Sequence, residues 1–256
     1  MFSLYWISFK SLVRKEINRF MRIWVQTLVP PVITTSLYFI IFGNFIGARV
    51  GEMNGFSFMQ FMVPGLIMQS VIANSYSNVS SSFFSQKFQK NIEELLVAPV
   101  PTFIIMSGFL VGGMARGLLA GLFVTGVSLF FVPLAVSSWL VVFVTVLMTS
   151  LVFSLAGLLN GLFAKSFDDV SIVPTFILTP LTYLGGVFYS ITLLPPVWQF
   201  ISRFNPIVYM ISGFRYGFLG AGDMALWTSM AVLALFIVVL FAICYRLIEK
   251  GRGLRS

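Results

Sequence analysis

Long apolar runs alternate with short polar breaks along this chain, and the runs have the length of membrane spans. Six stand out, at about 23–45, 58–84, 103–131, 139–163, 170–188 and 224–245. A helix needs about 20 mainly apolar residues to cross roughly 30 Å of hydrocarbon. Inside a bilayer no water satisfies backbone N–H and C=O groups, so a helix must close its own hydrogen bonds. The pattern predicts an all-α membrane protein with six transmembrane helices, forming one domain over 1–256.

The runs are not alike. The first contains Pro30-Pro31, which predicts a kink or a shortened segment. The second carries Gln69, Asn74, Ser75, Ser77, Asn78 and Ser80. Polar residues at that density avoid lipid, so this helix should be buried or face a cavity. Gly113, Gly117 and Gly121 lie four apart in the third run, and Gly157 and Gly161 in the fourth. Both rows predict smooth faces for close helix approach. Pro174 and Pro180 predict a bent fifth run.

Three segments fall outside the runs. Residues 1–22 have the spacing of an amphipathic interfacial helix, with Phe2, Trp6, Phe9, Val13, Ile17 and Phe20 on one face. Lys10, Arg14, Lys15, Asn18 and Arg22 lie on the other, as expected for a helix resting among lipid headgroups. Glu16 falls on or near the apolar face, where either a partner protein or a neighbouring Arg19 or Arg22 would satisfy it. Residues 85–101 are the one substantial internal polar loop, with a short helix at Ile92-Glu93-Glu94-Leu95-Leu96 stopped before Pro99. Residues 189–223 are neither span nor loop. Asn205-Pro206 is a helix start signal, and the segment reads as two short helices, 195–204 and 206–219, in a re-entrant or interfacial hairpin before the last span.

Charge fixes the orientation. Basic residues cluster in the N-terminal helix, in 85–101, in 164–169 and in the tail, whereas the opposite side has Arg49, Arg203 and Arg215. The basic side faces the cytoplasm, and six spans then place both termini there. The net charge of +8 is explained by topology and anionic headgroups, with no nucleic acid needed. Composition agrees: 58% of residues are hydrophobic and 9% charged, against about a quarter charged in soluble domains. The charges from Lys10 to Arg22 precede a run long enough to span, which argues against a cleavable signal peptide.

Several chemistries are not expected. The chain has no histidine and one cysteine, Cys244, which disfavours imidazole catalysis, His-ligated metal and an internal disulfide. It has no G-x-x-x-x-G-K-[ST], G-x-S-x-G or H-E-x-x-H motif. No intramembrane carboxylate chain of a proton-driven pump is visible. A self-contained enzyme is not expected, and no cofactor is expected on this chain.

The layout resembles the permease subunit of an ABC-2 type transporter. The N-terminal helix with Arg14, Lys15, Glu16, Arg19 and Arg22 carries part of the likeness. So do Ile92-Glu93-Glu94-Leu95-Leu96 followed by Ala98-Pro99-Val100, and Gly112-Gly113-x-x-Arg116-Gly117. The most specific part is Leu194-Pro195-Pro196-x-Trp198, then Asn205-Pro206, then Arg215 and Gly220. The resemblance covers nearly the whole chain. It implies a bacterial inner-membrane permease that pairs with a second copy or a related permease. Each permease docks on a separate ATP-binding subunit, which holds ATP and Mg. It implies export, with cargoes ranging over drugs, lipids, polysaccharides and glycolipid-linked material. It also implies an ATPase-coupling set of Glu16, Ile92, Glu93, Glu94, Leu95 and Leu96.

Each candidate role has a plainer alternative. Glu93 and Glu94 either dock an ATPase or sit on a solvated loop helix. Arg116 either faces a central cavity or hydrogen-bonds helix carbonyls. Asn74 and Asn78 line a substrate path or bond between helices. Tyr183, with Phe188 and Tyr189, lines an exit or belongs to the interface belt. Pro195, Trp198, Asn205, Pro206 and Arg215 shape the outer hairpin. A scaffold protein and a secondary carrier are the competing functions, although no internal repeat of the carrier kind is evident. The many phenylalanines suit an amphipathic or lipid-like cargo, but lipid exposure asks for the same residues.

Overall fold

The computed structural model describes residues 2–46, 52–53 and 55–253. Arg49 and Arg255 lie outside this set, as does the side chain of Leu96. The chain is mostly helical. Four helical stretches are long and apolar enough to cross a membrane: Trp24–Gly43, Thr102–Phe131, Trp139–Phe163 and Leu226–Glu249.

Helix α1 (Phe2–Arg22) ends in an elbow at Ile23, and α2 (Trp24–Tyr38) follows at once. Helix α2 runs unbroken through Pro30 and Pro31 and continues as π-helical turns over Phe39–Ile46. The expectation of a shortened first segment is therefore not met. The two prolines remove donors that the carbonyls of Gln26 and Thr27 would otherwise have. A small antiparallel hairpin, β1 (Glu52–Met53) with β2 (Phe56–Ser57), was not foreseen by an all-helical reading.

Helix α3 (Phe58–Phe88) begins with a reciprocal Ser57–Gln60 capping box, which satisfies two orphan donors at its start. It is the central helix of the bundle, packed against α5 (Thr102–Phe131) and α6 (Trp139–Phe163). Its polar residues point inward: Asn74, Ser75, Asn78 and Ser80 are all buried, as their density predicts.

The glycine rows explain how tightly these helices pack. A Cβ on Gly117 would lie 1.8 Å from Ser75 Oγ, and one on Gly121 would lie 2.6 Å from Val71 Cγ2. A Cβ on Gly157 would lie 2.4 Å from the Tyr76 carbonyl oxygen. Both rows abut α3 on different sides. Gly108 and Gly112 on α5 receive α1 instead, where added Cβ atoms would lie 2.7 Å from Leu12 Cβ and 2.5 Å from Glu16 Cβ.

That contact rotates α1 relative to the expected face. Its buried line is Leu12, Glu16 and Phe20, while Trp6 is 64% exposed. The groove over Gly108 and Gly112 decides which stripe is buried, and α3 supplies polar partners for Glu16.

The short helix α4 (Asn91–Val97) joins α3 to α5. After α6, a helical rod runs from α7 (Phe167–Val173) through π-helical turns at Pro174–Leu178 into α8 (Thr179–Tyr183). This rod is shorter than the expected 170–188 run, because the chain leaves the helix in turns after Tyr183. A 3₁₀ turn at Ile191–Leu193, then α9 (Pro196–Ser202) and α10 (Pro206–Leu219), build the expected helical pair. Helix α11 (Leu226–Glu249) buries only a narrow stripe: Ser229, Leu233, Cys244 and Ile248.

Candidate transport groove and coupling surfaces

Two adjoining cavities run between α2 and α3. One, of about 430 Å³, is lined by Gln26, Thr27, Ser77, Ser80 and Ser81, with Arg116 from α5 and Ser171 and Thr175 from the rod. The other, of about 250 Å³, is lined by Pro30, Pro31, Thr34, Thr35, Tyr38, Gln69, Ser70 and Asn74. Asn74 joins them: it lines the second, and its Oδ1 accepts a hydrogen bond from Arg116 Nε at 3.2 Å. The pairing follows from helix geometry, because residues 26–27 sit opposite 77–81 and residues 34–35 opposite 69–74. Successive turns of two helices thus present hydroxyls and amides to one groove.

Past Tyr38 the groove reaches an aromatic cluster. Phe188 lies 5.2 Å from Tyr38, 5.4 Å from Phe42 and 6.0 Å from Tyr183, centroid to centroid. Tyr183 is therefore gathered with the end of α2, and Tyr189 is absent from these ring pairs.

Asn78 is not in either cavity lining. It is buried, and its backbone carbonyl and Oδ1 accept from Arg19 at 2.9 and 2.8 Å. The same cluster holds Glu16, which is 1% exposed. Ser82 Oγ donates to Glu16 Oε1 at 2.8 Å, Gln86 Nε2 donates to the same oxygen at 3.3 Å, and Arg19 pairs with Oε2 at 3.4 Å. A buried carboxylate demands such compensation. Glu16 is thus covered by its own chain: of the two alternatives, a partner protein or a neighbouring arginine, the structure has Arg19, joined by Ser82 and Gln86. Glu16 fastens α1 to the bundle through α3.

Helix α4 divides its residues between two tasks. Ile92 is buried in one apolar cluster with Val79, Ile105 and Phe109, so it anchors α4 to the bundle. Glu93, Glu94 and Val97 are exposed, and Leu95 is half-buried. An acidic surface with an apolar neighbour is what α4 presents outward.

Nearby, Lys87 Nζ donates to the carbonyls of Leu162 and Ala164 at 2.7 and 2.9 Å. It caps the C-terminal end of α6, whose last carbonyls have no helical donors. Burial, and then the like charge of Lys165, pull the Lys87 ammonium below its ordinary value. Asp169 Oδ2 accepts from the Lys165 and Ser166 amides at 2.9 and 3.1 Å. The Lys165 amide bond is the largest of the influences that hold this carboxyl below the usual range.

At the far end, Arg215 organises the hairpin. It is 1% exposed, donates to Asp223 Oδ2 at 3.0 Å and to the Gly186 carbonyl at 2.7 Å, and sits 3.6 Å above the Phe61 ring. Ser190 Oγ donates to the other Asp223 oxygen. Asn205 accepts from the Ile207 amide at 3.0 Å as the cap of α10 and donates to the Leu181 carbonyl at 2.6 Å. Pro206 stands in the first turn, Pro195 precedes α9, and the Trp198 amide donates to the Pro195 carbonyl at 2.9 Å. Sequence reading singled out Arg215 but missed Asp223. The available signal was a lone acid in an apolar stretch eight residues after a lone arginine.

Comparison with known proteins identifies the family. The chain is 68% identical over 256 residues, all of both chains, to the inner membrane transport permease YadH of Escherichia coli (strain K12) and to that of Shigella flexneri. It is 26% identical over 227 residues to nodulation protein J of Rhizobium leguminosarum bv. viciae, covering 87% of this chain and 85% of the other. The family profile described as ABC-2 type transporter matches residues 7–219, and with a full-length relative at that identity the chain belongs to the ABC-2 type transporter family.

Proposed function

We propose that this chain is the transmembrane permease subunit of an ATP-binding-cassette exporter, and that the groove between α2, α3 and the 167–183 rod is part of its substrate path. The groove is the observation that carries the reading. Helices facing only lipid and one another have no use for two adjoining cavities lined by hydroxyls, amides and an arginine.

In this reading the whole chain is one ABC-2 transmembrane domain with six spans, carried by α2, residues 58–84 of α3, α5, α6, the rod from residue 170 onward and α11. Both termini and α4 face the cytoplasm, and α9–α10 form the outer hairpin, re-entrant before the last span. The relatives' name supports an inner-membrane location. Energy comes from a separate ATP-binding subunit that holds ATP and Mg, and this chain binds neither. The exposed Glu93 and Glu94 support α4 as the coupling helix, with Leu95 and Leu96 beside them and Ile92 holding it to the bundle. A second copy of the permease completes the assembly as a homodimer with two ATPases. The exposed apolar side chains Ile33, Leu37 and Ile41 on the first span are available for that contact or for lipid.

The test is affinity purification of the tagged chain from cells that make it natively, with an ATP-binding subunit sought in the eluate. The two should co-purify, and Glu93→Lys/Glu94→Lys should abolish association while the permease remains folded. Undiminished association in that variant removes the coupling role. Failure of the wild type to bring down any ATPase removes the exporter reading.

A further inference from the structure

We propose that the cleft around Arg116 binds the anionic headgroup of an amphiphile, a phosphate or carboxylate, entering from the inner-leaflet side. This deepens the permease reading above and rests on it.

Arg116 has unused hydrogen-bonding capacity. A guanidinium has five N–H donors in a fixed fork. Arg116 uses one, Nε, on Asn74. Its two terminal nitrogens have no protein partner among the described residues, and neither is sealed from the cleft. The described ion pairs are Glu16–Arg19 and Arg215–Asp223, so Arg116 belongs to neither. An arginine at membrane depth needs a partner or water, and here the chain supplies one neutral amide.

The surrounding side chains fit an oxyanion. Gln26, Ser77, Ser171 and Thr175 line the cleft, and their side chains make no hydrogen bond within the described residues. No carboxylate lines it. The nearest acid in sequence, Asp169, turns back onto the Lys165 and Ser166 amides. A cationic fork with open hydroxyl donors and no competing acid matches phosphate or carboxylate geometry. A cationic ligand would meet Arg116 unshielded.

Position and shape favour an amphiphile over a free ion. Gly112 takes the interfacial helix α1 against α5, and Arg116 lies one turn further along α5, about 6 Å deeper. Ile23, Val170 and Pro174 also line the cleft, which gives an acyl chain an apolar wall beside the headgroup. The volume, about 430 Å³, is ample for a headgroup.

The experiment uses the full chain purified in an uncharged detergent. Dihexanoyl phosphatidylglycerol, dihexanoyl phosphatidylcholine and inorganic phosphate are titrated, with the unfolding midpoint as readout. Phosphatidylglycerol should raise the midpoint and phosphatidylcholine should not. Arg116→Gln should weaken the phosphatidylglycerol effect at least tenfold, and Arg116→Lys should keep part of it. Inorganic phosphate acting as strongly as phosphatidylglycerol would keep the anion site and overturn the amphiphile. Ser77→Ala/Thr175→Val leaves Arg116 and Asn74 in place, so it stands in if Arg116→Gln does not fold, and it should weaken binding several-fold. Equal stabilisation by both lipids, or wild-type affinity in the folded variants, overturns the proposal. ATPase association is read separately by co-purification. Its absence alongside Arg116-dependent lipid binding counts against the exporter and not against this site.

Discussion

Arg215 and Asp223 form an ion pair that neither can leave cheaply. Both are buried, and Arg215 also ties the loop at Gly186 to α10. Removing one partner of a buried pair strands the other, which costs about 3–5 kcal/mol, whereas replacing both by apolar residues is often neutral. Arg215→Met should therefore lower the unfolding midpoint of the detergent-solubilised protein sharply, and Arg215→Met/Asp223→Leu should recover most of the loss. Equal losses in the single and double variants would mean that the pair matters through its hydrogen bonds to Gly186 and Ser190. Asp169 makes a second case, with a definite pH dependence. Its folded pKa lies below the unfolded value of about 3.9. Its contribution is therefore present above that value and is lost as pH falls through the lower folded one. Amide protection at Lys165 and Ser166, corrected for intrinsic exchange, should fall on acidification below about pH 4. In Asp169→Asn it should be flat across the same range.

The helix faces show what the sequence could and could not reveal. The rows at Gly113, Gly117 and Gly121 and at Gly157 and Gly161 were legible because four-residue spacing alone puts small residues on one face. The burial of α3 was legible because hydroxyls and amides at that density have no place in lipid. The seam of α1 was legible only in part: Phe20, Glu16 and its partner Arg19 were readable, the rotation of the face was not. Apolar periodicity selects Trp6, Phe9 and Val13, but the seam runs through Glu16, whose partners Ser82 and Gln86 lie on another helix. Arg116 was legible as an anomaly, but its choice between cavity and helix end depended on tertiary contacts. Pro30 and Pro31 marked a break that the fold absorbs. The glycine faces give a sharp prediction. Gly117→Ala places a methyl group against Ser75, and overpacking of this kind costs about 1–3 kcal/mol. Gly126→Ala meets nothing within 4 Å and should be silent. Ser75→Ala should partly rescue Gly117→Ala, as seen in the unfolding midpoint.

For the whole molecule, topology turns on one element. Four helices are plainly long and apolar enough to span, and α3, at 31 residues, has ample length although its polar side chains need protein around them. The rod over 167–183 is about 25 Å long, slightly less than the roughly 30 Å of hydrocarbon, and it is continued by turns. If the rod crosses, four crossings separate α4 from the tail and three separate α4 from α9. If it does not, those numbers become three and two, and both relationships invert. Cys244 is the single cysteine and is buried, so replacing it gives a clean background. Glu94→Cys, Phe204→Cys and Lys250→Cys then report the three positions to a membrane-impermeant maleimide. In intact cells Phe204→Cys should react while Glu94→Cys and Lys250→Cys stay protected until the membrane is opened. Reaction at Lys250→Cys with protection at both Glu94→Cys and Phe204→Cys would mean that the rod lies within one leaflet. The wall it gives the Arg116 cleft would then be an inner-leaflet feature and not part of a path through the membrane.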